Sequence, residues 1–227
     1  MKVRTNFIWQ EILMINAFIE KQNELIAGFL ENYEGHVETL EIEQWHQCAV
    51  VDEGEIATDE IKYIGSLSEE EYDLKSTFTE LMPSYLLASS LITVWSIFER
   101  EMERMYEHIS ATYFDGKALR RKPPSTSKIK HLVNSIEEFN LSVKNTVELK
   151  EAINKLDSQV RHVRNAWAHH GGIDAKGKLQ GNISGIEKRY SQIVVKPSYL
   201  VKVIELLKIV SKEFNDAIYR LPSTAKK

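Results

Sequence analysis

The chain has 227 residues, 43% hydrophobic and 27% charged, which is enough to bury a core and excludes wholesale disorder. Ten Gly and five Pro are too few chain breakers for an all-β protein, and the single cysteine, Cys48, excludes an internal disulfide and cannot by itself hold a structural zinc. The net charge of −4 conceals a segregation: residues 31–80 carry 15 acidic and 2 basic side chains, and residues 115–227 carry 11 acidic and 22 basic. The basic half is suited to a polyanion, and the acidic segment to repelling one or covering that basic face.

Along the chain, helical periodicity dominates. Ile8, Ile12, Ile15, Ile19, Ile26 and Leu30 line one face of an N-terminal helix that Asn32 and Gly35 stop. Gln10, Glu11 and Asn16 break its apolar character and no small-residue cleavage site follows, so it does not read as a signal peptide. With no run of about 18 apolar residues, no bilayer span is expected, and the expected location is cytoplasmic. Residues 36–65 are acidic and weakly patterned. Leu40, Ile42, Trp45 and Ala49 suggest a short helix there, and Asp52 to Gly54 a loop. Cys48 has no motif around it and reads as a buried or half-buried thiol.

Ser68-Glu69-Glu70-Glu71 has the form of a capping box and predicts a helix start, which Pro83 must kink or restart. From Ser84 onward, Leu87, Leu91, Val94, Phe98, Met102, Met105 and Ile109 step by four and three, a long seam for a bundle or a dimer. Arg120-Arg121-Lys122-Pro123-Pro124 is a basic linker, followed by a short helix over 127–139. Asn145 is placed to cap the next helix, with Glu148 in its first turn. Its face repeats as Leu149, Ile153, Leu156, Val160, Val163 and Trp167, and Gly171-Gly172 ends it. Residues 178–196 read as a β-hairpin. Ser198 then caps a last helix that buries Leu200, Ile204, Leu207, Phe214 and Ile218. The expected fold class is all-α: an antiparallel bundle with one small hairpin before the final helix. The expected organisation is an N-terminal helix plus acidic insertion over 1–66, a helical core over 67–222 and a disordered tail over 223–227.

The informative segment is Arg161-His162-Val163-Arg164-Asn165-Ala166-Trp167-Ala168-His169-His170-Gly171-Gly172. It packs two cations, an amide and three imidazoles beside a helix end. His169 lies five residues beyond Arg164, about 140° round an ideal helix at ~100° per residue. The two side chains converge only if the last turn unwinds or a second copy of the helix supplies partners. No His-x-x-x-His or His-Glu-x-x-His pattern supports a zinc hydrolase, and no metal site or cofactor is expected. A Walker-type phosphate loop is also missing. The clusters at Arg120–Lys122 and Lys128–Lys130 lack the aromatic spacing of a stacking platform, though they suit an RNA backbone.

Arg164-Asn165-x-x-x-His169 resembles the R-x4–6-H motif of the HEPN superfamily, in the form with a polar residue after the arginine. Leu91-Ile92-x-x-Trp95-x-x-Phe98-Glu99 resembles the helix that precedes the motif helix in prokaryotic members. The resemblance covers about residues 68–220 and leaves the acidic first third unaccounted for. It implies an all-α bundle with one helix after the motif, and metal-independent RNA cleavage by the RNA's own 2′-OH. It also implies a homodimer completing the site, in a toxin–antitoxin or antiphage setting. His169 then serves as general acid or base, Arg164 as phosphate clamp and Asn165 as positioning amide, with His170 a second candidate. Arg161, Arg120, Arg121 and Lys122 are assigned to the RNA backbone, and Glu99 to an auxiliary role. The plainer alternatives are that Arg164 pairs with a carboxylate, that both histidines answer the helix dipole, or that the bundle is a non-catalytic binding module. His162 reads as a surface residue, and Met102, Met105 and Trp167 as core.

Overall fold

The computed structural model describes residues 7–47, 54–124, 126–139, 146–174, 177–179, 181–189 and 191–220. The described residues are mostly helical, with two small antiparallel sheets. Its first elements are α1 (Phe7–Glu31), β1 (Glu38–Gln47), β2 (Gly54–Ile64), β3 (Leu67–Ser68), α2 (Leu74–Ser76) and α3 (Met82–Tyr113). There follow α4 (Lys128–Glu137), α5 (Val147–Lys155), α6 (Arg161–His170), β4 (Ile186–Arg189), β5 (Gln192–Val195) and α7 (Pro197–Tyr219). Two compact units result, one from residues 1–20 with 86–227 and one from residues 21–85.

The larger unit holds the core. Every residue of the seam on α3, from Leu87 to Ile109, is exposed by 7% or less. The helical run Leu74–Tyr113 is long and apolar enough to cross a bilayer on length and hydropathy alone; its seam is nevertheless packed against other helices' side chains. Against it pack Ile12 and Ile19 of α1, Ile129, Leu132 and Ile136 of α4, and Leu149, Leu156, Val160 and Val163 of α5, α6 and the turn that joins them. Leu200, Ile204, Leu207, Phe214 and Ile218 of α7 are all buried, as their spacing predicts. Glu101 on α3 is a buried carboxylate held by Arg100 Nε at 3.0 Å and Arg104 Nη1 at 2.8 Å.

Two helix caps differ from the sequence reading, by one residue and by two. Thr146 caps α5, its hydroxyl accepting from the Leu149 N–H at 3.1 Å, while Asn145 lies outside the described residues. Pro197 opens α7 and Lys196 precedes it, so Ser198 is inside the helix; proline's fixed φ and missing donor suit the first turn. Ser127 caps α4 as its position suggests.

The smaller unit departs further. Residues 38–47 form a strand, not the helix suggested by Leu40, Ile42 and Trp45, and β2 pairs with it antiparallel in the register Leu40↔Ile61, Ile42↔Asp59. Leu40 and Ile42 stand two apart, which is a strand period, and Thr39, Ile42, Thr58 and Ile61 supply the β-branched character. The described residues therefore carry two small antiparallel sheets, and all-α is a rough fit to a mostly helical fold. Cys48, Ala49, Asp52 and Glu53 lie outside the described residues. Ser68 does not start a helix, because sheet pairing with Tyr63 already claims it. Its hydroxyl accepts from the Glu70 N–H at 3.1 Å, and Glu69 Oε1 accepts from the Lys62 N–H at 3.0 Å. The helix begins after Asp73, whose carboxylate accepts from the Ser76 N–H at 2.9 Å. A π turn over Thr77–Leu81 then leads into α3, and Pro83 stands two residues after it.

Candidate functional site

The motif lies at the C-terminal end of a rod made of α5, a π turn over Leu156–Val160, and α6. In the π turn the Arg161 N–H reaches back five residues to the Leu156 carbonyl. Asp157 sits inside this turn, its side chain 12% exposed, and is bound by Lys130 Nζ at 2.9 Å and Arg161 Nε at 3.0 Å. Burial pushes the Asp157 carboxyl up. Hydrogen bonds from Ser127 and Lys130 and the charges of Arg161 and Lys130 outweigh that, so it titrates below the ordinary carboxylate range. The cap of α4 and the start of α6 are thus tied through one carboxylate.

On α6, Val163 and Trp167 face the core. Arg164 is half-buried; its Nη1 donates to Asn165 Oδ1 at 2.9 Å, and its Nε is buried without a hydrogen-bond partner. No salt bridge to Arg164 occurs among the described residues. The carboxylate pairing that would make Arg164 a simple helix-end stabiliser is therefore not what holds it. His169 and His170 are exposed in the last turn, ring centroids 6.4 Å apart.

The helix stays regular through His170 and closes on Gly171, at φ 58°, with the Gly172 N–H on the Ala166 carbonyl at 3.1 Å. Gly172 is required at its place, because a Cβ there would meet the Trp167 ring at 2.8 Å. Unwinding does not bring Arg164 and His169 together within one copy. Beyond the glycines, the Ile193 N–H bonds the Gly172 carbonyl at 2.8 Å, so the second hairpin holds the end of the motif helix. Asp174 accepts from the N–H groups of Lys178 and Leu179 and from Lys188 Nζ at 3.1 Å.

The other residues assigned from sequence are mostly occupied. Glu99 is 13% exposed and lies 3.5 Å from Lys128, which also pairs with Glu103 at 3.1 Å. Arg161 is anchored on Asp157, Arg120 faces Glu138 at 3.9 Å, and Lys122 donates to the carbonyls of Pro123 and Thr126. Arg121 and Lys122 line an open depression of about 720 Å³ with the two prolines. Neither Glu99 nor this linker is brought to α6 by any ion pair or hydrogen bond among the described residues.

Three residues missed or set aside in the sequence join the site: Asp157, Lys130 and His162. The i, i+4 spacing of Asp157 and Arg161 was the available signal. His162 is half-buried, with Arg161 Nη2 3.4 Å from its Nε2. Burial first, then the charges of Arg161 and Lys178, hold its imidazole below the ordinary histidine range, against the opposite pull of Asp157 and Asp174. No group of three or more His, Cys, Asp or Glu placed to hold a metal ion occurs among the described residues. Comparison with family models, curated proteins and solved structures found no match to this chain.

Proposed function

We propose that this chain is a metal-independent endoribonuclease of HEPN type, acting as the toxin or effector of a toxin–antitoxin or antiphage system. The observation that carries the reading is Arg164. It is a half-buried guanidinium with no carboxylate partner among the described residues, a buried unpartnered Nε, and one Nη held by Asn165. A cation kept partly out of water with donors unspent suits an anion arriving from outside, and the planar fork matches a phosphodiester.

In this reading the RNA's 2′-OH attacks the adjacent phosphorus and leaves a 2′,3′-cyclic phosphate. Arg164 stabilises the charge that builds on the phosphoryl oxygens, and His169, exposed at the helix end, moves the proton. Because a guanidinium only donates, the Asn165 oxygen faces Arg164 and its NH₂ is turned away as a donor for substrate. With α6 regular to His170, Arg164 and His169 point about 140° apart at ~100° per residue. A second copy of α6 across a two-fold axis supplies the missing partner, so a homodimer belongs to the proposal. His170 is the reserve acid–base group.

A binding or assembly module without nuclease activity is the second reading. The observation in its favour is that Arg120, Lys122, Lys128, Lys130 and Arg161 are spent on internal partners. RNA cleavage in EDTA separates the two. Wild type cutting to cyclic-phosphate ends, with Arg164→Ala and His169→Ala inactive and folded, supports the nuclease. Absence of cutting across tRNA, rRNA and mRNA supports the module.

A further inference from the structure

Seven residues of α-helix are within about 20° of two full turns and rise ~10.5 Å. On α6 that relation joins His162 to His169, and Asn165 lies between them, within about 60° of the same line. The helix places the three residues in one ladder on the side away from Val163 and Trp167. Arg164 lies off this ladder and touches it only through Asn165. In-line displacement at a phosphodiester needs a base on one apical oxygen and an acid on the other. Two hydrogen bonds of about 2.8 Å plus the apical O–P–O distance span roughly 9 Å. The two-turn rise between the two histidine positions is close to that span.

We infer that His162 is a second catalytic group of the proposed nuclease, the general base that works with His169 as general acid along one face of α6. This assignment rests on the nuclease reading. His162 Nε2 faces the Arg161 guanidinium, which only donates, so the lone pair is on that nitrogen. At 3.4 Å the contact is a long one, which a substrate hydroxyl can replace. Arg161 is itself fixed by Asp157, and Asp157 by Lys130, so the base is positioned by a chain of paired groups.

In the reaction the 2′-OH proton passes to His162 Nε2 as the 2′-oxygen bonds to phosphorus. The P–O5′ bond breaks, and the 5′-oxygen takes the proton of the His169 imidazolium. The products are a 2′,3′-cyclic phosphate and a 5′-hydroxyl, and the two imidazoles regain their protonation states from solvent. The Asn165 NH₂ donates to a non-bridging oxygen between them, with Arg164 of a second copy free to approach the phosphate from the other side.

The test is cleavage of an RNA oligonucleotide in EDTA by wild type, His162→Ala, His162→Gln and His169→Ala, each checked by circular dichroism. A matched oligonucleotide carries sulfur in place of the bridging 5′-oxygen, a leaving group that needs no proton. Expected are kcat losses of about 10²-fold or more for both His162 variants, with KM for RNA within about threefold. The sulfur substrate restores His169→Ala and leaves the His162 variants slow. Wild-type cutting with folded His162 variants within about threefold of it overturns the assignment and leaves the nuclease reading standing. Rescue of the His162 variants by the sulfur substrate overturns the role of His162 as the base. A wild-type chain that cuts neither substrate overturns both.

Discussion

Arg164 Nη1 and Asn165 Oδ1 are 2.9 Å apart, a bond between sequence neighbours whose backbone positions alone would splay them by ~100°. The bond draws the guanidinium toward the exposed face of α6 and orients the amide at the same time. It explains why an amide, with an acceptor for arginine and a donor for substrate, suits the position beside the arginine better than a residue that does only one of these.

Asn165→Asp keeps the acceptor and removes the donor, and adds a charge that neutralises Arg164. The melting temperature is expected to hold or rise, while RNA affinity measured by fluorescence anisotropy falls at least tenfold. Equal RNA affinity in a folded Asn165→Asp protein would show that the amide does not face substrate.

Asp157 is the joint between α4 and the motif helix. Asp157→Ala leaves Lys130 and Arg161 facing each other without their carboxylate. Because both cations reach solvent, the expected cost is about 1–3 kcal/mol rather than that of a fully buried pair. The folded carboxyl titrates below its unfolded value of 3.8, so its contribution is present above that pH and is lost as pH falls through the folded value. Urea midpoints of wild type and Asp157→Ala should therefore converge in acid. A gap that stays constant into strong acid contradicts this role.

The helical part of this arrangement was legible because its signal is long. Seven seam residues on α3 and the four-and-three repeat through Leu156, Val160 and Val163 leave only one buried face, and Gly171 marks where it stops. The first hairpin was not legible, because Leu40 and Ile42 give only two apolar steps on a strand that is otherwise mostly polar. The capping-box pattern at Ser68 failed because serine is equally at home closing a strand, and the competing Asp73 cap differs from it only by tertiary context. Arg164, Asn165 and His169 were readable as a motif. The Lys130–Asp157–Arg161–His162 chain was not, because Lys130 comes from another helix and the π turn that lodges Asp157 has no sequence signature.

The two glycines after α6 answer to different constraints. Gly171 needs only its positive φ, with nothing within 4 Å of a Cβ, whereas Gly172 needs both its φ of 85° and the space against Trp167. Asparagine tolerates the left-handed region, so Gly171→Asn should cost under about 1 kcal/mol. Gly172→Asn must displace the indole and should cost about 2–4 kcal/mol, read from urea unfolding. Equal costs at the two positions would mean that Trp167 does not press on Gly172.

His162 gives a pH dependence whose sign is fixed by its surroundings. Burial and the cations Arg161 and Lys178, working against Asp157 and Asp174, hold its folded pKa below the 6.5 of an unperturbed imidazole. Between the folded value and 6.5 the unfolded chain binds the proton more readily, so stability rises with pH across that window. The contribution is complete above the unfolded value and is lost as pH falls through the folded one. His162→Gln removes the titrating group, and its urea midpoint should be flatter than wild type between about pH 5 and 7. The ring Cε1–H resonance of His162 should titrate with a midpoint below 6.5. A midpoint at or above that value, or a His162→Gln protein with the wild-type slope, would contradict the half-buried, cation-flanked setting of His162.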